Sequence, residues 1–419
     1  MSPHKNYETS LREPTLDWIK EVGAVDILVG IPTYNNDDTI GFVVSQVGEG
    51  LKRYYGDLKT AILVADGGSV DDTRENIHAE KIPDGVEKQV TIYRGIPGKG
   101  TSFRAVFECA TRLKAKAVLV FDSDLRSITP EWVKKMADPI LSGEADFCAP
   151  WYRRHQFDGT ITNMIVYPLS SAIFGSNIRQ PIGGDFSFGL KLAEHYAGQP
   201  VWLTDVARFG IDIWMSMTAV NEGFKVAQVD LGNKIHNPKD PAADLGLMFY
   251  QVVSTLFGLI GSYEDKWRRV SGVVDARLIS SDGGKSEPEK ITVSLDKMKR
   301  EFEDGYFLFK PMYRQVLTPE TYEDLSIVVS RMQEKGALTI EADLWSRILY
   351  DFCFTFHHWQ RNRRRLIDIL TPLYYGRTGT YCTQVLTSSW EEAEAVVQNQ
   401  AEVFRSNRSY LINKYRIWE

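Results

Sequence analysis

Apolar segments that stop at polar turns recur through the first third of the chain. They lie at 26–31, 60–65 and 117–121, and a further strand is predicted at 90–93. Segments in which apolar residues recur at helical spacing follow these strands. Short runs of this composition, bounded by charge or glycine, are typical of strands buried in a parallel sheet. Strands that alternate with helices predict a doubly wound α/β sheet. The loops at the carboxyl ends of its strands would meet in one cleft, where such sheets bind ligands.

The strand predicted at 117–121 leads into two carboxylates, Asp122 and Asp124. Side chains at i and i+2 of an extended segment point the same way, so both carboxylates would face one ligand. Carboxylate oxygens suit a hard cation such as Mg²⁺ or Mn²⁺, bound directly or through water. A solvated acidic turn is the alternative interpretation of these two residues.

Polar turns also follow the strands at 26–31 and 60–65. These turns are Pro32–Asn36 and Asp66–Ser69, and Lys99 stands between two glycines before a predicted helix. Each segment alone is compatible with a plain turn or a solvated loop tip. Together they predict a nucleotide pocket, because Asp66 can accept a hydrogen bond from a base and glycine backbone can approach a diphosphate. Lys99 would place a positive charge beside that diphosphate.

The alternation weakens after residue 144. A polar cluster at 153–162 precedes a predicted helix at 163–174, and such a cluster can serve simply as a helix cap. A strand predicted at 225–231 leads to His236, which is either a surface histidine or a ligand placed past a strand end. From residue 241 the pattern is helical, with helices predicted at 293–309, 319–335, 340–370 with a break near Thr355, and 389–417, the last opened by a capping box of Ser389 and Glu392.

Composition excludes several classes of protein. The chain is 43% hydrophobic and 25% charged with a net charge of −6, which is ordinary for a soluble protein and leaves no basic footprint for nucleic acid. Its four cysteines form no C-x-x-C pair, so neither a zinc site nor a disulfide framework is indicated. The segment Leu245–Gly261 is predicted to be a buried helix rather than a membrane span, and the first 20 residues lack the apolar core of a signal peptide. We therefore expect a cytoplasmic protein with no membrane partner.

Seven short motifs follow one another along the chain: Pro32-Thr-Tyr-Asn, Asp66-Gly-Gly-Ser-x-Asp-Asp-Thr, Gly98-Lys-Gly, Asp122-Ser-Asp, Gln180-Pro-Ile-Gly-Gly-Asp, Gly210-Ile-Asp and Lys234-Ile-His. In these motifs and their order the chain resembles GT-A-fold retaining glycosyltransferases of the mannosylglycerate synthase, glucosylglycerate synthase and glucosyl-3-phosphoglycerate synthase type. The resemblance covers residues 26–260. It implies a Rossmann-like, mainly parallel sheet flanked by helices, which binds a nucleotide sugar, followed by a mainly helical C-terminal region.

The expected domains are an N-terminal extension at 1–25, a GT-A catalytic domain at 26–240 and the helical region at 241–419. The catalytic domain would have a donor half at 26–125 and an acceptor half at 126–240. A mobile loop is expected at 280–290, where glycine, serine and charged residues form the most linker-like stretch of the chain.

On the donor side, the resemblance implies transfer of glucose or mannose from a GDP- or UDP-sugar. Asp124 and His236 would bind the divalent cation, Mg²⁺ or Mn²⁺, on the diphosphate. Asp212 would act at the donor sugar, while Lys99 and the metal stabilise the leaving phosphate, so the expected catalytic residues are Asp212, Lys99 and Asp124. The expected donor-binding residues are Pro32, Tyr34, Asn36, Asp66, Gly67, Lys99, Asp122 and Ser123.

On the acceptor side, mannosylglycerate synthase carries an Arg-x-x-x-Asp-x-x-Ile-Thr pattern around glycerate, and this chain matches it from Arg154 to Thr162. Arg154 would pair with the acceptor carboxylate, while Asp158 and Thr162 bind its hydroxyls. The expected acceptor-binding residues are Arg154, Asp158, Ile161, Thr162, Ile182, Gly183, Gly184 and Asp185.

Two departures from the family bear on the acceptor. Thr160 and Asn237 stand where the phosphoglycerate enzymes carry arginines, which favours unphosphorylated D-glycerate as the acceptor. Asp185 stands where the family usually carries glutamate. The carboxylate is kept, but the side chain that carries it is shorter by one methylene. The favoured product is glucosylglycerate or mannosylglycerate, a compatible solute.

Three alternatives stay open at this stage. The same fold could act on 3-phosphoglycerate or another small hydroxy acid. It could act on a lipid-linked substrate with Leu245–Gly261 at the membrane, or bind a nucleotide sugar without catalysis. In each case a homo-oligomer, a dimer or larger, is expected.

Overall fold

The computed structural model describes residues 7–236, 245–273, 276–279, 288–359 and 362–418. Internal contacts divide the chain into two units. The sheet unit comprises Met1–Arg153, Ile178–Pro238 and Ala276–Pro288, and the helical unit comprises Arg154–Asn177, Lys239–Asp275 and Glu289–Glu419. This division follows contacts rather than chain order, so residues 154–177 group with the C-terminal helices. Most of the loop expected at 280–290 lies outside the described residues.

The sheet unit is built on a mainly parallel sheet. Its strands are β1 (Ile27–Thr33), β2 (Thr60–Asp66), β3 (Val86–Ile92), β4 (Ala117–Val120), β5 (Phe147–Arg153), β6 (Phe186–Gly189), β7 (Val226–Asn233) and β8 (Arg277–Ile279). Their order across the sheet is β3-β2-β1-β4-β6-β5-β7-β8. Neighbours are parallel except for β6, which runs antiparallel to β4 and β5. This is the GT-A type of architecture that the sequence predicts.

The described helices follow in chain order. They are α1 (Glu13–Val22), α2 (Ile40–Tyr55), α3 (Thr73–Ala79), α4 (Lys99–Leu113), α5 (Pro130–Leu141), α6 (Tyr167–Phe174), α7 (Leu190–Ala197), α8 (Ile211–Asn221), α9 (Leu245–Ser262), α10 (Glu264–Trp267), α11 (Leu295–Val316), α12 (Pro319–Lys335), α13 (Ala342–His358), α14 (Arg363–Gln384), α15 (Trp390–Ser406) and α16 (Arg408–Trp418). A π-helical turn at Thr162–Val166 leads directly into α6.

The centre of the sheet explains why its strands are apolar throughout. Every residue of β1, β2 and β4 is buried, as expected for parallel strands covered on both faces. Val43, Val47 and Leu51 of α2 are also fully buried and belong to the same hydrophobic cluster as β1. Burial of one such side chain contributes about 1.5–3 kcal/mol, so this packing fixes where the strand ends lie.

The helical unit buries α9 as predicted. Val252, Leu256 and Ile260 are almost completely buried, and α9 packs on α13 and α14. Across the described residues, we find no helix whose length and apolar content would allow it to cross a membrane. The apolar character of α9 is accounted for by this interior packing.

Several of the predicted C-terminal helix boundaries are wrong. The break expected near Thr355 lies instead between His358 and Arg363, and α14 continues to Gln384 rather than ending at 370. Pro372 lies within α14, and a Cβ at Gly305 would come 2.2 Å from its ring, so close packing of α11 on α14 overrides the low helix propensity of this segment. The helix expected at 389–417 is divided at Asn407, whereas its capping box of Ser389 and Glu392 is confirmed.

Candidate active site

Two lysines hold the first aspartate of the Asp122-Ser-Asp motif. Lys99, the first residue of α4, places Nζ 2.8 Å from Oδ1 of Asp122, and Nζ of Lys234 lies 2.8 Å from Oδ2. Burial opposes the charge of Asp122, but the two ammonium groups outweigh it and hold the pKa of that carboxyl far below its usual value. Both oxygens of Asp122 are thus engaged by cations of the protein itself.

Asp212 is the third member of this charge cluster. It is the second residue of α8, only 7% exposed, and its Oδ2 lies 3.1 Å from Nζ of Lys99. Burial raises the pKa of Asp212 despite the opposing effect of Lys99. Its Oδ1 is buried and has no hydrogen-bond partner in the described part of the chain. Such a buried acceptor can take a hydrogen bond from a bound ligand or from an ordered water.

Sequence reasoning missed the role of Lys234. Its Nζ lies 2.8 Å from Oδ2 of Asp185 and donates to the carbonyl of Gly183 at 2.8 Å. Asp185 is fully buried, accepts a hydrogen bond from the hydroxyl of Tyr152, and accepts another at 2.8 Å from the backbone N–H of Asp122. The one signal in the sequence was the position of Lys234, two residues before His236 in the Lys-Ile-His motif.

The glycines of the Gln180–Asp185 motif allow this cluster to close. Gly184 has a φ of +91°, and a Cβ there would lie 2.0 Å from Oδ2 of Asp122. A Cβ at Gly183 would lie 2.3 Å from Cγ of Pro150. Together with Ile182 and Asp185 these glycines are predicted to bind the acceptor. In the structure Gly184 and Asp185 contact Asp122, and Gly183 packs against Pro150.

Backbone pairing brings the two predicted metal ligands together. Leu125 and His236 form an antiparallel β-bridge, and the N–H of Arg126 donates to the carbonyl of Ile235 at 2.8 Å. Asp124 directly precedes Leu125 in the sequence, so its backbone lies next to the segment that carries His236. Among the residues that can be described, no group of three or more histidine, cysteine, aspartate or glutamate side chains is arranged to hold a metal. A cation held by this pair would therefore complete its shell with oxygens from a bound ligand.

The donor-binding residues predicted at the ends of β1, β2 and β4 are joined by hydrogen bonds. Asp66 is fully buried and accepts from the hydroxyl of Ser69 at 2.6 Å. The hydroxyl of Ser123 donates to the side chain of Asn36 at 2.7 Å. The Asp66 contact closes the turn after β2, and the Ser123 contact joins the turns after β1 and β4.

Three further donor-side predictions have different surroundings. Pro32 is buried within β1, opposite Ala65 of β2, so its contribution is to shape the turn. Tyr34 is 58% exposed and offers an aromatic face to solvent. A Cβ at Gly67 would lie 3.1 Å from the ring of Tyr34, which leaves room for little more than glycine.

The Arg154–Thr162 segment lies in the helical unit. Nη1 of Arg154 is 3.5 Å from Oδ2 of Asp158, and both side chains are 18% exposed. Gly159, with a φ of +63°, donates its N–H to Oδ1 of Asp158 at 2.7 Å. Ile161 and Thr162 are buried, at 5% and 7% exposure. The side chains of Arg154 and Asp158 are therefore more accessible than those of Ile161 and Thr162.

The chain is similar in sequence to known glycosyltransferases. Residues 28–192 match the model of glycosyl transferase family 2. The chain is similar to glucosyl-3-phosphoglycerate synthase of Mycolicibacterium smegmatis, with 25% identity over 286 residues that cover 64% of this chain and 86% of the relative. It is also similar to the enzyme of the same name from Mycobacterium tuberculosis, with 25% identity over 259 residues that cover 56% of this chain and 74% of the relative.

Solved structures give a weaker likeness. The Mycobacterium tuberculosis synthase in complex with Mn²⁺, UDP and phosphoglyceric acid has a TM-score of 0.44 and 24% identity, over 61% of this chain and 84% of that chain. A complex of the same enzyme with Mg²⁺ and UDP has a TM-score of 0.44 and 24% identity, over 57% of this chain and 82% of that chain.

The matched family segment contains Lys99, Asp122 and Asp185 of the charge cluster, and also Asp124. It extends from the second residue of β1 into α7 and so includes β1 to β6. The sheet unit thus has the GT-A type of fold and contains a segment that matches glycosyl transferase family 2, and the protein is an enzyme of the hexosyltransferase class.

Proposed function

We propose that this enzyme transfers a hexose from a nucleoside-diphosphate sugar to D-glycerate, with retention at the anomeric carbon and with Mg²⁺ or Mn²⁺ as cofactor. The observation that carries the proposal is the grouping of Lys99, Asp212 and the Asp124–His236 pair within the sheet unit. A compatible solute, glucosylglycerate or mannosylglycerate, is the product. We place the enzyme in the cytoplasm as a homo-oligomer with no nucleic-acid or membrane partner.

The leaving nucleoside diphosphate is the group that most needs stabilisation. Asp124 and His236 would hold the divalent cation, which supplies positive charge to the diphosphate when bound. Lys99 adds a second source of charge, because its ammonium has three N–H donors and two face Asp122 and Asp212. The third donor is available to a phosphate oxygen, so Lys99 can stabilise negative charge as the glycosidic bond breaks.

Asp212 is suited to the sugar rather than to the phosphates. Its unpartnered Oδ1 can accept a hydrogen bond from a sugar hydroxyl, while its other oxygen is held by Lys99. Its negative charge also favours positive character at the anomeric carbon in the transition state. This role needs no covalent intermediate.

Arg154 and Asp158 supply the complementary groups for a hydroxy acid. The guanidinium can bind a carboxylate through two N–H groups, and the neighbouring carboxylate can accept from a hydroxyl. Thr160, which replaces an arginine of the phosphoglycerate enzymes, is 4% exposed, and its hydroxyl lies 2.6 Å from that of Tyr374. This inward orientation favours an acceptor without a phosphate.

The second candidate acceptor is 3-phosphoglycerate. It is favoured by the names of the mycobacterial relatives at 25% identity, whose product is glucosyl-3-phosphoglycerate. Those names also favour glucose as the transferred sugar. Asn237, the other position where an arginine is replaced, lies outside the described residues.

A donor-by-acceptor matrix tests the proposal. Purified protein with Mg²⁺ or Mn²⁺ is incubated with GDP- and UDP-glucose or mannose and with D-glycerate or 3-phosphoglycerate, and products are identified by NMR. We expect an α-linked glycoside of glycerate from one of the reactions that contain D-glycerate. Transfer to 3-phosphoglycerate with none to glycerate would replace the acceptor, and release of nucleoside diphosphate no faster than hydrolysis in every well would reject the function.

Replacement of Arg154 with alanine is expected to raise the acceptor KM by about a hundredfold and leave the donor KM within about twofold. The reason is that the charge-assisted pair with the acceptor carboxylate would be lost, whereas the donor groups belong to the sheet unit. Initial rates over a grid of both substrate concentrations give the two constants. An unchanged acceptor KM would remove Arg154 from the acceptor site.

A further inference from the structure

One face of α14 reaches the segment that carries Arg154. Tyr374, Arg377 and Tyr381 are spaced by three and four residues, which puts them on the same side of the helix. The hydroxyl of Tyr374 lies 2.6 Å from that of Thr160, and the hydroxyl of Tyr381 donates to the carbonyl of Gln156 at 3.0 Å. All of these residues belong to the helical unit.

Arg377, between these tyrosines, is a buried cation whose hydrogen bonds go to neutral acceptors. It is 2% exposed, and its Nε donates to Oε1 of Gln400 at 2.8 Å while Nη1 donates to the carbonyl of Ile340 at 2.9 Å. Burial lowers the pKa of Arg377 to about 10, so it keeps its charge at neutral pH. Because a guanidinium can only donate, it fixes the oxygen of the Gln400 amide toward itself and the NH₂ group away.

That NH₂ group holds the π-helical turn. Nε2 of Gln400 donates to the carbonyl of Asn163 at 2.8 Å, and the indole N–H of Trp345 donates to the next carbonyl, that of Met164, at 2.7 Å. A π-helical turn is rare, and it occurs often at functional sites. Two consecutive carbonyls of this turn are therefore held by side chains of α13 and α15.

The contacts continue from the turn to the charged pair. The side-chain NH₂ of Asn163 donates to the carbonyl of Asp158 at 3.2 Å, and the carboxylate of Asp158 lies 3.5 Å from Arg154. A continuous series of polar contacts thus links Arg377, Gln400, Asn163, Asp158 and Arg154. Buried networks of this kind rigidify the groups they join when every member has a partner.

We propose that Gln400 is a positioning residue for acceptor binding. Its amide, oriented by Arg377, holds the π-helical turn and thereby sets the position of the Arg154–Asp158 pair. This inference rests on the proposed function, because it takes that pair to be the acceptor site. It assigns to the C-terminal helices a part in substrate binding in addition to packing.

The substitution Gln400→Glu breaks the series at one bond. A glutamate has the same shape and would pair with the buried guanidinium of Arg377, so the helical packing is retained. It has no N–H to offer the carbonyl of Asn163. Gln398→Glu is the matched control, since Gln398 lies two residues before Gln400 on α15 and its amide bonds to the hydroxyl of Tyr167 at 2.6 Å and to the carboxylate of Glu394 at 2.7 Å rather than to Arg377.

Two measurements follow. For Gln400→Glu we expect the acceptor KM to rise about tenfold, with the donor KM and the kcat at saturating acceptor within about twofold of wild type. Hydrogen exchange should accelerate at the amide of Asn163, which donates to the carbonyl of Gly159 at 2.9 Å, while α9 and α13 stay protected. Gln398→Glu should change neither quantity.

The exchange measurement needs no substrate, so it separates this inference from the proposed function. An unchanged exchange rate around Asn163 overturns the role of Gln400 whatever the acceptor is. Faster exchange throughout the helical unit, with a fall in kcat and a change in both KM values, also overturns it, because that pattern reports general destabilisation. If wild type transfers sugar to no hydroxy acid, the proposed function fails independently of the exchange result.

Discussion

Replacement of Asp124 with alanine is expected to lower kcat by about a hundred- to a thousandfold at saturating donor and acceptor. The side chain removed is a proposed metal ligand beside the Leu125–His236 bridge, and it is not part of the buried hydrophobic core. The thermal unfolding midpoint should therefore stay within a few degrees of the wild-type value. Initial rates with Mn²⁺ and calorimetric binding of Mn²⁺ in the presence of a nucleoside diphosphate measure the two consequences.

Two controls for Asp124→Ala test whether the loss of any carboxylate lowers turnover and whether Asp124 and His236 hold the same ion. Asp57→Ala removes an exposed carboxylate that lies after α2 and should leave turnover unchanged. His236→Ala should lower turnover to a similar extent, and the double variant should be little worse than either single variant if both residues hold one ion. Retention of wild-type metal dependence in Asp124→Ala would reject the proposed metal site.

The substitution Lys234→Met is expected to lower the free energy of unfolding of the sheet unit by about 3–5 kcal/mol and to abolish most turnover. Lys234 is buried between Asp122 and Asp185, so its loss leaves a fully buried carboxylate with no cationic partner. Methionine fills a similar volume, which limits the change to the loss of charge and hydrogen bonds. Urea unfolding followed by tryptophan fluorescence measures the stability.

A second substitution tests the cause. Adding Asp185→Asn to Lys234→Met removes the unpaired charge and should recover part of the lost stability, by about 1–3 kcal/mol. The exposed residue Lys81 provides the control Lys81→Met, which should be neutral. If the double variant is no more stable than Lys234→Met, the ion pair with Asp185 is not the source of the effect.

The parts of the fold that sequence reasoning predicted are those whose signal is local. The strands at β1, β2 and β4 are continuous apolar runs, and they are buried on both faces, so composition alone marked them. By contrast, β8 has only three residues, too few for a periodic pattern to be distinguished from a loop. β6 is as short as β4, but its sequence Phe-Ser-Phe-Gly is not a continuous apolar run.

The candidate site shows the same limit. Lys99, Asp122 and Asp124 follow strand ends or precede a helix, so the order of elements predicted that they would share one edge of the sheet. The contact between Lys234 and Asp185 joins the residue after β7 to the residue before β6, and β5 separates these two strands in the sheet. Nothing near either residue in the sequence specifies its partner, and a buried lysine is recognised only once its surroundings are known.

The way the two units share the chain has a practical consequence for protein engineering. Residues 154–177 lie between strands β5 and β6 in the sequence but group with the C-terminal helices, while β8 follows α9 and α10 and joins the sheet. A version of the protein cut after residue 240 would therefore lose an edge strand and leave the buried side chains of α6 without the helices that cover them. Under the proposed role of Arg154 and Asp158, exchange of the acceptor specificity between related enzymes would have to transfer residues 154–177 together with α13 to α15.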